Sequence, residues 1–147
     1  AQRKSSIRRK LNPIPIEFED RAVLLVDDSI VRGNTSRKII ETARKAGARK
    51  VYFATTSPPL VAPCPYGIDM ATKDDFIARG KTVEQVRVEI GADKLLYLDM
   101  DRMIEAGRAK NPEIEQFCTG CFTGQYPTPD AEEHLAALAA ERAAMRV

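Results

Sequence analysis

The sequence predicts an α/β fold with a parallel sheet, incomplete on its N-terminal side and followed by a C-terminal helix. Three observations carry this. Short apolar runs at residues 22–26, "KVYFATTS" and "KLLYLDM" alternate with helix-length amphipathic stretches, the order that right-handed crossovers produce. The first run is continuous rather than alternating, which suits a strand covered on both faces. Glycine and proline close the segments, with Gly47 and Gly91 after helical patterns and Pro58 and Pro59 after the second run.

Residues 1–20, "AQRKSSIRRKLNPIPIEFED", are basic, then broken by Pro13 and Pro15, and predict a flexible arm. Residues 22–26 predict the first strand. Residues 28–35 form a turn, and a helix from Thr35 puts Ile39, Ile40, Ala43 and Ala46 on one face. The second strand stops at Pro58. After "LVAPCPYGIDM" come helices around residues 73–78 and 83–90, then the third strand and a helix over 101–109. "FCTGCFTGQYPTP" reads as a loop. Asp130 opens a last helix, with Glu133 as capping partner and Leu135, Leu138, Arg142 and Met145 at helical spacing. The expected division is an arm at 1–20, a partial α/β domain at 21–112, a cysteine-containing loop at 113–129 and a C-terminal helix at 130–147. Three strands are few for such a sheet, so further strands are expected upstream of Ala22, which would leave the first strand an edge.

The chain's 147 residues carry 23 Lys and Arg against 21 Asp and Glu, and a net charge of +2 gives no reason to expect nucleic acid. No apolar run approaches the roughly 20 residues that cross a bilayer, and the basic start has no secretion-signal core. A cytoplasmic setting without membrane contact is the expectation. Three cysteines, an odd number, argue for reduced thiols or metal ligation rather than a disulfide framework.

Chemistry concentrates in "AVLLVDDSIVRGNTSRKII". In open α/β sheets ligands bind beyond the carboxyl ends of strands, and a turn leading into a helix offers N–H groups to phosphate. Here Gly33 lets backbone approach closely, Ser29, Thr35 and Ser36 offer hydroxyls, and Arg32 adds positive charge. Asp27 and Asp28 cannot serve that phosphate. They suit vicinal sugar hydroxyls, or a shared Mg²⁺. The plainer alternative makes Asp28 a turn cap and Gly33 a bend. The whole run of strand, twin carboxylate, hydroxyl-rich glycine turn and helix is more demanding than that.

"VLLVDDSIVRGNTS" resembles the phosphoribosyl pyrophosphate (PRPP) motif of type I phosphoribosyltransferases, whose sheet is Rossmann-like. "SIRRKLNPI", "AGARKVYFATTSPP", "YGIDM" and "FCTGCFTGQYP" extend the likeness to the glutamine PRPP amidotransferase family over nearly the whole chain. The resemblance implies transfer of ammonia, released from glutamine, to C1 of PRPP, giving 5-phosphoribosylamine and pyrophosphate at the first step of purine synthesis. By position it implies Asp27 and Asp28 on the ribose hydroxyls and Mg²⁺, and Ser29, Arg32, Gly33, Asn34, Thr35 and Ser36 around the 5′-phosphate. Asn34 departs from the family's usual Thr, so one hydroxyl contact is replaced by an amide. "RRKLNP" is similar to the end of a loop that closes over PRPP, which implies Arg9 and Lys10 at the pyrophosphate; a solvated basic terminus is the alternative.

Cys118 and Cys121 form a Cys-x-x-Cys, a signal for metal and, less strongly, for thiol redox. Some members of the family carry a [4Fe-4S] cluster, and Cys64, Cys118 and Cys121 match three of its four ligands, with the fourth outside this chain. His134 has no standard zinc spacing to these cysteines and reads as a surface residue. The glutaminase half implied by the family uses an N-terminal cysteine, whereas this sequence begins with Ala1. The chain is therefore expected to supply the PRPP-binding part, to lack the glutaminase domain, and to need the N-terminal glutaminase and transferase part as partner in a homo-oligomer. The alternatives are a non-catalytic PRPP- or nucleotide-binding module, a split subunit, or an iron–sulfur structural module.

Overall fold

The computed structural model describes residues 13–68 and 75–144. Arg9, Lys10 and Met145, the first residues of the helix expected around 73–78, and the side chain of Arg142 lie outside what it describes. The chain runs α1 (Pro15–Phe18), β1 (Ala22–Asp27), α2 (Asn34–Lys45), β2 (Lys50–Thr55), α3 (Val83–Ile90), β3 (Lys94–Leu96), α4 (Met100–Arg108), α5 (Gly120–Thr123) and α6 (Ala131–Ala144). Among the described residues the strands form one parallel sheet in the order β1-β2-β3. The α/β parallel-sheet expectation is met, and β1 lies at an edge.

One face of the sheet holds the core. Val51 and Phe53 of β2 and Leu95 of β3 point into it, and Ile40 and Ala43 of α2 with Val86 and Ile90 of α3 close over them. Register places Leu25, Phe53 and Leu95 on this face, because alternate residues of a strand share a side. Val23 and Leu25 pack at its margin. Truncating Phe53, which is 1% exposed, would cost about 3–5 kcal/mol.

The other face of the sheet is open among the described residues. Leu24 is 56% exposed, Val26 62% and Leu96 45%, and register aligns Val26 with Ala54 and Leu96. Among the described residues "AVLLV" thus finds cover on one side, and the face of Leu24 and Val26 is open.

Other boundaries also shift. Residues 15–18 form a helical turn where an irregular arm was expected: Pro15 sits where its missing N–H costs nothing, and Glu19 N–H closes the turn onto the Pro15 carbonyl at 2.9 Å. The third strand ends at Leu96 rather than Met100, because Asp99 caps α4 through the amides of Asp101 and Arg102 at 3.0 and 3.1 Å. Residues 77–80, where a helix was expected around 73–78, form turns. The cysteine loop contains the short helix α5. Helix α3 keeps its expected bounds, since Thr82 and Gln85 exchange hydrogen bonds in a capping box and Gly91 ends it in the left-handed region.

At the end of the sheet where β2 and β3 begin, Asp93 gathers the charge. It accepts hydrogen bonds from the Val51 amide at 2.8 Å, Arg44 at 2.9 Å and Lys50 at 3.3 Å. The Val51 amide, then Lys50 and Arg44, hold its carboxyl below the usual aspartate value against the opposing effect of burial.

Candidate functional site

Strand β1 delivers Asp27 and Asp28 to the opposite end of the sheet. The Asp27 carbonyl accepts from the Thr56 amide at 3.0 Å, which anchors the tip of β1 to the segment leaving β2. Among the described residues the carboxylates are engaged by their neighbours alone: Asp27 Oδ1 takes the Asp28 amide at 3.0 Å, and Asp28 Oδ1 takes the Ser29 hydroxyl at 2.9 Å. Asp28 is exposed and Asp27 half-buried.

Seven residues beyond Asp27, α2 begins at the same end of the sheet. Its N-cap is Gly33 at φ 71°, with no side chain capping the helix, and Arg37 N–H closes the first turn onto the Gly33 carbonyl at 2.9 Å. The amides of Asn34, Thr35 and Ser36 precede that bond and have no carbonyl one turn back in their own helix. Such an end attracts an anion through these donors and the helix dipole. Thr35 is exposed beside it, while Ser36 is buried at 3% exposure. A methyl group on Gly33 would run into the Ile77 side chain and come within 3.3 Å of Ile90, so glycine is required here for both backbone angle and space.

Two members of the expected set are placed differently from the reading of the sequence. Arg32 Nη2 donates to Asp75 Oδ2 at 2.7 Å, so its charge is already paired. Asn34 Oδ1 accepts from Arg37 Nη1 at 3.4 Å, so its side-chain amide faces its own helix.

Two hydroxyls near this end were not singled out from the sequence. Ser57 Oγ and Tyr97 Oη are buried without a hydrogen-bond partner among the described residues, just past the ends of β2 and β3. The Ser57 carbonyl, by contrast, takes the Thr55 hydroxyl at 2.7 Å and the Leu98 amide at 3.3 Å. Burial pushes the Tyr97 phenol up to about 12. Only their positions one or two residues beyond strand ends mark them in the sequence.

The cysteine-bearing segments are tied together. The amides of Val61 and Ala62 donate to the Cys121 carbonyl at 2.9 and 3.1 Å, and the Tyr126 hydroxyl donates to the Pro63 carbonyl at 2.6 Å. Tyr66 and Tyr126 meet edge to face, and the Tyr66 amide donates to Cys64 Sγ at 3.4 Å. Burial pushes the Cys121 thiol up, and Cys64 and Cys118 add to the shift, so the sulfurs feel one another. Among the described residues, however, no three His, Cys, Asp or Glu side chains stand where they would hold a metal ion. These thiols alone do not fit a cubane, which takes four anchors. Asp27 and Asp28 offer the donor type that Mg²⁺ takes, since it binds through one or two carboxylates and otherwise through substrate oxygens. His134 lies exposed on α6.

The turn between β1 and α2 and the cysteine loop touch one small apolar cluster: Val31, Cys121 and Phe122 pack on Leu60 and Phe76.

No family model matches the chain. Its sequence is 50% identical over 143 residues to the amidophosphoribosyltransferase of Haemophilus influenzae, covering 97% of this chain and 28% of that protein. With the Escherichia coli amidophosphoribosyltransferase it shares 51% over 131 residues, 89% of this chain and 26% of that one. Among solved structures, it is similar to glutamine PRPP amidotransferase from B. subtilis complexed with ADP and GMP, with a TM-score of 0.70, 38% identity, and coverage of 84% of this chain and 28% of that chain. The chain therefore spans little more than a quarter of the length of the relatives it matches.

Proposed function

We propose that this chain, a homologue of part of the amidophosphoribosyltransferases, supplies the PRPP-binding part of the reaction in which ammonia displaces pyrophosphate from C1 of PRPP. In that step a C1–N bond forms, the C1–O bond to pyrophosphate breaks with inversion, and phosphoribosylamine remains. One observation carries the reading: a twin carboxylate at a strand tip, half-buried at Asp27 and exposed at Asp28, and a helix start without a side-chain cap share one end of the sheet.

The residues divide the ligand between them. Asn34, Thr35 and Ser36 offer amides to the 5′-phosphate, with the Thr35 hydroxyl beside them. Asp27 and Asp28 accept hydrogen bonds from the ribose 2′- and 3′-hydroxyls and would hold Mg²⁺ together with ligand oxygens. Bound there, Mg²⁺ supplies charge neutralisation for the departing pyrophosphate. Fixing both ends of the ribose phosphate presents C1 in one orientation, and this positioning is the chain's catalytic contribution. Arg9 and Lys10 are assigned to closure over the pyrophosphate by sequence resemblance alone.

Glutamine hydrolysis, the remaining transferase walls, a homo-oligomeric assembly and a cytoplasmic setting are part of the proposal for the whole protein. Among the described residues no helix is long and apolar enough to cross a membrane.

Calorimetric titration with PRPP and excess Mg²⁺ tests the reading: the wild-type chain should give heat, and Asp27→Asn with Asp28→Asn should not. Equal heats would overturn it. A glutaminase assay of the chain should be blank. A second reading, an iron–sulfur module, draws on Cys64, Cys118 and Cys121, whose segments are joined by backbone hydrogen bonds to the Cys121 carbonyl, and needs a fourth ligand from outside this chain. Reconstitution with iron and sulfide discriminates, since a full, stable brown cluster on this chain alone would favour the module over the PRPP cradle.

A further inference from the structure

We propose that Asp75 is a positioning residue for the phosphate turn: by holding the Arg32 guanidinium it braces residues 31–33 in the shape that presents the first amides of α2. The inference rests on the PRPP reading above.

Three consecutive turn residues meet the Asp75–Ile77 stretch, each by different chemistry. The Val31 carbonyl accepts the Ile77 amide at 2.8 Å. Arg32 donates to Asp75 at 2.7 Å across 43 residues of sequence. Gly33 lies so close against the Ile77 side chain that no Cβ fits between them. Phe76, between the two contact residues, is 3% exposed and packs in the cluster that also receives Val31. The stretch is thus held by the interior on one side and holds the turn on the other.

A turn that first takes shape around its ligand spends binding energy on ordering, and one already shaped does not. Gly33 sits in a left-handed conformation that an unsupported turn would leave often. Moving Arg32 to the phosphate would also strip Asp75 of this cation. It would break the contact that ties the turn to the Asp75–Ile77 stretch, so Arg32 serves the turn best by staying where it is.

The test is the PRPP and Mg²⁺ titration of the 147-residue chain, repeated on Asp75→Asn, Arg32→Gln, the pair combined, and Asp75→Glu, with thermal midpoints measured alongside. Each single neutral variant should bind about five- to tenfold more weakly, and the combination no more weakly than either, because both remove the same contact. Asp75→Glu should retain most of the affinity. Thermal midpoints should move by only about 2 °C or less, since a half-exposed ion pair adds little to global stability. In the ligand-free protein, the amide resonances of Gly33 and Asn34 should shift in Asp75→Asn and less in Asp75→Glu.

Wild-type affinity or tighter binding in Asp75→Asn would overturn the brace and return Arg32 to the phosphate. Additive losses in the combined variant, or a fall in midpoint that accounts for the lost affinity, would overturn it too. If the wild-type chain itself gives no heat, the PRPP reading falls and takes this inference with it; binding by wild type with none of the expected differences removes the inference alone.

Discussion

Where β2 and β3 begin, Asp93 is met by a backbone amide, an arginine and a lysine, and Arg44 also reaches the Gly91 carbonyl at 2.9 Å. Where the strands stop, among the described residues, Asp27 and Asp28 are held only by the residue next in sequence and the Ser57 and Tyr97 hydroxyls have no partner. One end of the sheet uses its polar groups to hold elements together. The other keeps polar capacity in hand, which is what a binding end needs and what stability alone would select against.

The contrast can be broken by exchanging roles. The largest effect expected is on binding at the far end: Asp27→Asn with Asp28→Asn should lose at least about 100-fold in PRPP·Mg²⁺ affinity, since charge-assisted hydrogen bonds to two hydroxyls and an ion are at stake. Its urea midpoint should stay near wild type. Next comes Asp93→Ala, which should lower unfolding free energy by about 2–3 kcal/mol in urea titrations while leaving any PRPP heat in place. The acid side sharpens this. Because the folded carboxyl lies below its unfolded value of 3.8, the contribution is present above that value and is lost as pH falls through the lower folded one. Wild type and variant should therefore converge only under strongly acidic conditions.

Gly33→Ala should cost about 1–2 kcal/mol, from the left-handed backbone and the displaced Ile77 side chain, and should weaken PRPP binding as well. The smallest effect runs in the opposite direction. Tyr97→Phe removes an unpartnered hydroxyl and should stabilise the chain by about 1 kcal/mol in the same urea assay. Spectroscopic titration should place the phenol near 12. The stability linked to it is complete below the ordinary value of 10.0 and lost as pH rises through about 12.

Local signals account for what could be read beforehand. Strand β1, the turn and α2 were legible because each is announced within a few residues: an apolar run, a carboxylate pair, a glycine and a helical stripe. Helix α3 was legible to the residue, since both of its caps are written in the chain as Thr82 and Gly91. What escaped depends on distant partners. Nothing beside Arg32 says that Asp75 will claim it, and nothing in "GADK" says that Asp93 will collect Val51, Arg44 and Lys50. A run such as "AVLLV" looks the same whether one or both of its faces find cover, because periodicity records the chain and not its neighbours.

Leu24, Val26 and Leu96 turn away from everything that Val51, Phe53 and Leu95 hold together. Their codons are consequently free to be recoded for charge without disturbing the interior. A screen that rewards solubility would therefore enrich lysine and glutamate at those three sites, while Val51, Phe53 and Leu95 would stay apolar.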